Sequence, residues 1–184
     1  MFRTTILLLT LILTAGTALA QATPKNITAG AGVYVVTTSD DDERDSMEGY
    51  AITGAMALGP GSAIRGHLYF TEHEDNSNLK LEGFDGQFLL GSNLNRLGFK
   101  IYALGGYFSE TLKLESTSKT TANEADFAGF MAGLGIGYNW PSAALDFWVA
   151  WRDPGEYKEY YEGLFGVEPD INMGAGALTF GIRF

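Results

Sequence analysis

Apolar and polar positions alternate along this chain in runs of roughly ten residues, the period of strands rather than helices. In the first run Ile27, Ala29, Ala31, Val33 and Val35 share one face, with Thr28, Gly30, Gly32 and Tyr34 on the other. The second sets Tyr50, Ile52, Gly54, Met56 and Leu58 against Ala51, Thr53, Ala55 and Ala57, and the third sets Ile64, Gly66, Leu68 and Phe70 against Arg65, His67, Tyr69 and Thr71. Phe84, Gly86, Phe88 and Leu90 then oppose Asp85, Gln87 and Leu89. The second half repeats the scheme: Phe99, Ile101, Ala103, Gly105 and Tyr107 oppose Lys100, Tyr102, Leu104 and Gly106. Phe130 to Trp140 alternates with a face rich in glycine, and Leu145, Phe147, Val149 and Trp151 oppose Asp146, Trp148, Ala150 and Arg152. The last run places Leu178, Phe180, Ile182 and Phe184 opposite Ala177, Thr179, Gly181 and Arg183. Strands are therefore predicted at 27–38, 48–58, 63–71, 82–90, 97–108, 127–140, 143–152 and 173–184.

The connections alternate in length. Residues 59–62, 91–96 and 141–142 read as tight turns, whereas 39–47, 72–82, 109–126 and 153–172 are long and polar. All five prolines fall outside the predicted strands, as ladder hydrogen bonding requires. Eight strands with short and long connections in alternation predict an antiparallel up-and-down barrel, the eighth strand pairing with the first to leave no edge.

Volume decides which face points inward. The apolar faces carry many large side chains and no charge, and an eight-stranded interior is only just wide enough to be filled by side chains. The other face mixes Gly, Ala and Thr with Arg65, His67, Asp85, Lys100, Asp146, Arg152 and Arg183. Small residues with charges in reach of one another suit a narrow lumen, so the apolar face is predicted to meet lipid. A soluble lipocalin-like barrel, apolar within, is the competing arrangement. Aromatic placement agrees with a membrane wall: Tyr50, Phe70, Phe84, Tyr107 and Trp151 lie near one set of strand ends, and Phe99, Tyr138, Trp140 and Phe184 near the other. Two such girdles mark the membrane–water interfaces of a barrel.

The beginning of the chain fits export. Arg3, the apolar run Ile6 to Leu13 and the small-x-small Ala18-Leu19-Ala20 read as a secretory signal over residues 1–20, with residues 21–184 as the barrel domain. Cysteine is absent from the sequence, which excludes a lipidated N-terminal Cys, disulfides and thiolate metal sites. Formal charge is −10, and −11 once Arg3 is removed, so nucleic acid is not an expected partner. Of the 22 carboxylates, 19 fall in the four long connections beside five basic residues, which predicts a negative rim.

These features resemble the small eight-stranded Gram-negative outer-membrane barrels of the OmpA-transmembrane, OmpX and opacity type. The resemblance rests on the signal, on the alternation across the mature chain and on the closing Leu178-x-Phe180-x-Ile182-x-Phe184. It implies an outer-membrane location, short periplasmic turns and long extracellular loops. It also implies contact with outer-membrane lipid and lipopolysaccharide, and recognition of the strand ending in Phe184 by the barrel-assembly machinery. The glycine often found five residues before the terminal aromatic is replaced here by Thr179.

The sequence offers little catalytic chemistry. Lipid A deacylase barrels pair His-x-Ser on the lipid face with a Glu, but His67 is followed by Leu68-Tyr69 and has lumen parity, while His73 lies among loop carboxylates. Palmitoyl-transfer barrels place a His before an Asp-Ser, and here no His precedes Asp45-Ser46. The glycines at 30, 32, 133, 135 and 137 do not open a helix and do not match a nucleotide loop. The acidic run 40–45 lacks the glycine and distal Glu of a calcium loop, so no catalytic, cofactor or metal site is expected. The functional expectation is a non-enzymatic envelope or surface-interaction barrel with an unspecified extracellular partner. A narrow small-solute channel is the alternative, and a lipid-modifying enzyme is disfavoured. Inside the bore, Asp146 is expected to pair with Arg183, and Asp85 with Lys100, with Arg65 and His67 as competitors for Asp85.

Overall fold

The computed structural model describes residues 24–39, 44–74, 76, 78–114, 123–166 and 170–184. The proposed signal at 1–20 and most of the acidic run 40–45 lie outside them. Strands β1 (Ile27–Ser39), β2 (Arg44–Ala57), β3 (Ser62–His73), β4 (Leu79–Ser92), β5 (Gly98–Leu114), β6 (Asn123–Asn139), β7 (Ala143–Arg152) and β8 (Asn172–Arg183) form a closed barrel. Every neighbour is antiparallel, and β8 closes on β1 through a register running from Thr28↔Arg183 to Ser39↔Asn172. The Phe184 amide donates to the Ile27 carbonyl at 2.8 Å, extending the closing ladder to the last residue.

The strands overrun the predicted ends mainly on the loop side. β5 continues six residues beyond the expected 108, and β6 and β2 each begin four residues early. The reason is the ladder itself: β5 and β6 stay paired out to Leu114↔Asn123. A paired hairpin satisfies its own backbone in water as well as in lipid. A second difference is the helix α1 (Gly155–Phe165), which stands inside the connection 153–172 read from sequence only as long and polar. It ends at Gly166, whose φ of 73° is the left-handed geometry that closes a helix, and whose amide donates to the Glu162 carbonyl at 2.8 Å.

The wall is inside-out relative to a soluble protein. Phe88, Ile101, Leu134, Phe147 and Phe180 are exposed, whereas Gln87, Lys100, Met131, Trp148 and Thr179 are buried in the lumen. Tyr50, Phe70, Phe84, Tyr107 and Trp151 point outward near the loop end of the barrel; Phe99, Trp140 and Phe184 are exposed near the turn end, with Tyr138 half-buried beside Trp140. Tyr50 and Phe70 face each other across β2 and β3 with ring centroids 5.3 Å apart, a cross-strand pair.

Candidate functional site

The side chains that could do chemistry converge in the bore, and their neighbours are set by register. Asp85 on β4 stands directly opposite His67 on β3, and its Oδ1 lies 2.8 Å from the His67 Nδ1. Its Oδ2 accepts from the Tyr34 hydroxyl at 2.7 Å. The expected Asp85–Lys100 pair is therefore corrected: Asp85 faces Phe108 on β5, eight residues along the strand from Lys100, and His67 takes the carboxylate.

Asp146 meets Lys100 instead. Lys100, Gly137 and Asp146 lie in one row across β5, β6 and β7. Because Gly137 has no side chain, the Lys100 ammonium reaches over it to donate to Asp146 Oδ2 at 2.7 Å. The expected Asp146–Arg183 pair is also corrected, since Asp146 faces Thr179 and Arg183 lies four residues nearer the turn end of β8. Arg183 donates to the carbonyls of Trp140, Asn95 and Lys25 at 2.8, 2.9 and 3.3 Å. Together with Asn139, whose amide reaches the carbonyls of Asn93 and Arg96 at 2.9 Å each, it holds the turn between β4 and β5 across the end of the bore as a floor. Asn93 in that turn has φ 58° and Gly98 has φ 101°, the tight backbone that folds Leu94 inward.

Arg65 sits above the floor. Its Nε and Nη2 both donate to Gln87 Oε1, its Nη1 donates to the Tyr102 hydroxyl at 2.9 Å, and its guanidinium lies 5.2 Å from the Tyr102 ring centroid. Tyr102 in turn donates to Asp146 Oδ1 at 3.1 Å. Its ring occupies the space left by Gly135, where a Cβ would overlap it. Gly135→Ala is thus expected to displace Tyr102 from both partners and to lower stability by about 1–3 kcal/mol. Urea unfolding in lipid checks this, and an unchanged midpoint would mean that the ring does not need the gap.

The upper bore is built around Arg152, which sequence reading placed in the lumen without a carboxylate to meet it. Its partner is Glu110, assigned from sequence to a loop and in fact buried at 2 % exposure on the extension of β5. Arg152 Nη1 donates to Glu110 Oε2 at 2.8 Å and Nη2 to the Tyr69 hydroxyl at 2.9 Å. Tyr69 donates to the same carboxylate oxygen at 2.5 Å, and the guanidinium lies 4.1 Å from the Phe108 ring centroid. The other carboxylate oxygen accepts from Tyr157 of α1 at 2.7 Å. Burial, and then the neighbouring Glu110 carboxylate, push the Tyr157 phenol well above its ordinary pKa, so it remains a donor. Its ring stacks on Phe127 with centroids 3.7 Å apart, which seats the helix over the mouth.

The bore is consequently blocked at mid-height. Tyr34, Tyr69, Tyr102, Phe108, Trp148 and Arg152 are all at most 2 % exposed, with Tyr34 stacked on Tyr69 at 4.3 Å. His67 and Asp85 have the geometry of an oriented histidine, but His67 Nε2 makes no hydrogen bond and the ring is enclosed by Tyr34 and Trp148. A catalytic base needs its substrate's proton within hydrogen-bond reach.

The family model of outer membrane protein beta-barrel domains matches residues 5–184. The chain belongs to that family. Among solved structures, the outer-membrane barrel is similar to Ail, the attachment invasion locus protein of Yersinia pestis, at 14% identity and TM-score 0.56, covering 87% of this chain and 99% of Ail. Neisserial surface protein A matches at 12% identity and TM-score 0.60, covering 85% and 95% of the two chains. OprG from Pseudomonas aeruginosa matches at 13% identity and TM-score 0.53, covering 89% and 97%. No curated protein matches the sequence. At these identities the likeness to solved structures establishes the fold; the outer-membrane location follows from the family, and the activity is left to be argued from the chain's own residues.

Proposed function

We propose that the protein is a non-enzymatic barrel that works through its extracellular loops, in envelope integrity or surface contact, rather than through its bore. The observation that carries this reading is the plugged lumen, blocked at mid-height by stacked Tyr34 and Tyr69 and closed at the mouth by Tyr157. The enclosed His67 argues against enzymatic use of the His67–Asp85 pair.

Outside, the rim keeps its acidic character even with Glu110 turned inward. Tyr160, Tyr161 and Leu164 of α1 are exposed among those carboxylates, an aromatic contact surface on a negative field. Ail has been solved with the heparin analogue sucrose octasulfate. The opposite charge on this rim favours an extracellular partner other than a polyanion. Lipid and lipopolysaccharide cover the apolar wall, the strand ending in Phe184 is the element offered to the barrel-assembly machinery, and residues 1–20 are a cleaved export signal.

Single-channel recording of the refolded protein in planar bilayers tests the reading. No steady open level is expected. A persistent conducting state would support the small-solute channel and overturn the assignment to the loops.

A further inference from the structure

Packing in the lower bore is incomplete in one place. A cavity of about 30 Å³ lies above Leu94, lined by Thr53, Arg65, Lys100, Asp146 and Thr179. That is space for roughly two water molecules. Its walls present more donors than acceptors. The Thr53 hydroxyl is buried and makes no hydrogen bond. Lys100 gives one of its three N–H groups to Asp146, and Arg65 gives three of its five to Gln87 and Tyr102. Asp146 is the only carboxylate in the lining, and Lys100, Tyr102 and Arg65 already surround its oxygens.

Charge is unbalanced in the same direction. Among the described residues Arg65, Lys100, Arg152 and Arg183 face the lumen against Asp85, Glu110 and Asp146, four cations to three carboxylates with His67 left out of the count. Glu110 is taken by Arg152 and Asp85 by His67, so the surplus falls in the lower half, where Arg183 has only backbone carbonyls as hydrogen-bond acceptors. Waters alone would satisfy the donors and leave that charge uncompensated in a narrow, poorly hydrated space, which is costly.

We propose that this cavity binds one monatomic anion, a halide of chloride or bromide size, held by the Thr53 hydroxyl and by the free N–H groups of Lys100 and Arg65. The space is too small for sulfate or phosphate. Asn26 and Thr28 also line it, beside the apolar Ala55, Ala57, Ala63 and Leu89.

The test uses the mature protein refolded in micelles, with thermal unfolding followed in chloride, bromide or gluconate at equal ionic strength. The unfolding temperature should rise and saturate with either halide and stay flat in gluconate, since a ligand of the folded state stabilises it by mass action. Thr53→Val should keep the gluconate value and bind halide roughly ten-fold more weakly, the loss expected for one hydrogen bond to an ion. Crystals grown in bromide should show an anomalous peak between Thr53 Oγ1 and Lys100 Nζ. Equal unfolding temperatures in all three salts, a halide effect unchanged in Thr53→Val, or ordered water alone in the cavity would each overturn the proposal.

Discussion

Replacing Glu110 with alanine is expected to destabilise the barrel by about 3–5 kcal/mol, the cost of leaving a buried partner charge unpaired. Three donors converge on this carboxylate: Arg152, Tyr69 and Tyr157. Without it the Arg152 guanidinium, itself 0 % exposed, keeps only two phenol oxygens as acceptors. The double variant Glu110→Ala with Arg152→Met should cost clearly less than the sum of these two singles, because it removes the charge together with its counterion. A double-mutant cycle in a urea refolding assay reads the coupling directly. Additive singles would mean that the pair contributes no more than two independent polar residues.

On the other side of the wall, Leu134→Arg should cost about 2–4 kcal/mol if the residue lies near the bilayer midplane. Leu134 is 66 % exposed on β6, between Ala103 of β5 and Val149 of β7. An arginine there has no lumen partner to turn to without passing through the sheet. Refolding into lipid vesicles is the measurement, and an unperturbed variant would show that this face does not meet hydrocarbon.

The alternation of the sequence was enough to assign faces, because a period of two leaves only one way to bury small and charged side chains in so narrow a bore. It was not enough to assign partners. Which lumen residues touch depends on stagger between strands and on gaps such as Gly137, which lets Lys100 pass to Asp146, and neither can be seen within one strand. Glu110 reads from sequence as loop because the polar stretch from Ser109 to Asp126 carries it. Yet Phe108, Glu110 and Leu112 continue the lumen parity of Lys100, Tyr102 and Leu104, and that continuation was the available signal. Helix α1 left a comparable trace. Tyr157, Tyr160, Tyr161 and Leu164 recur at the spacing of one helix face, followed by Gly166 at the end.

The bond between Tyr34 on β1 and Arg152 on β7 spans 118 residues of chain. Such a contact can form only after the last hairpin has been laid down and β8 has met β1. Contacts this distant in sequence slow folding, since the chain must be almost fully organised before they are made. Interactions formed after the transition state act mainly on the reverse rate, so the Arg152 cluster should lengthen the native half-life more than it hastens assembly. Once closed, the barrel has β1, β3, β5 and β7 tied through one cluster across its bore, and these groups must separate before any of those strands can peel away.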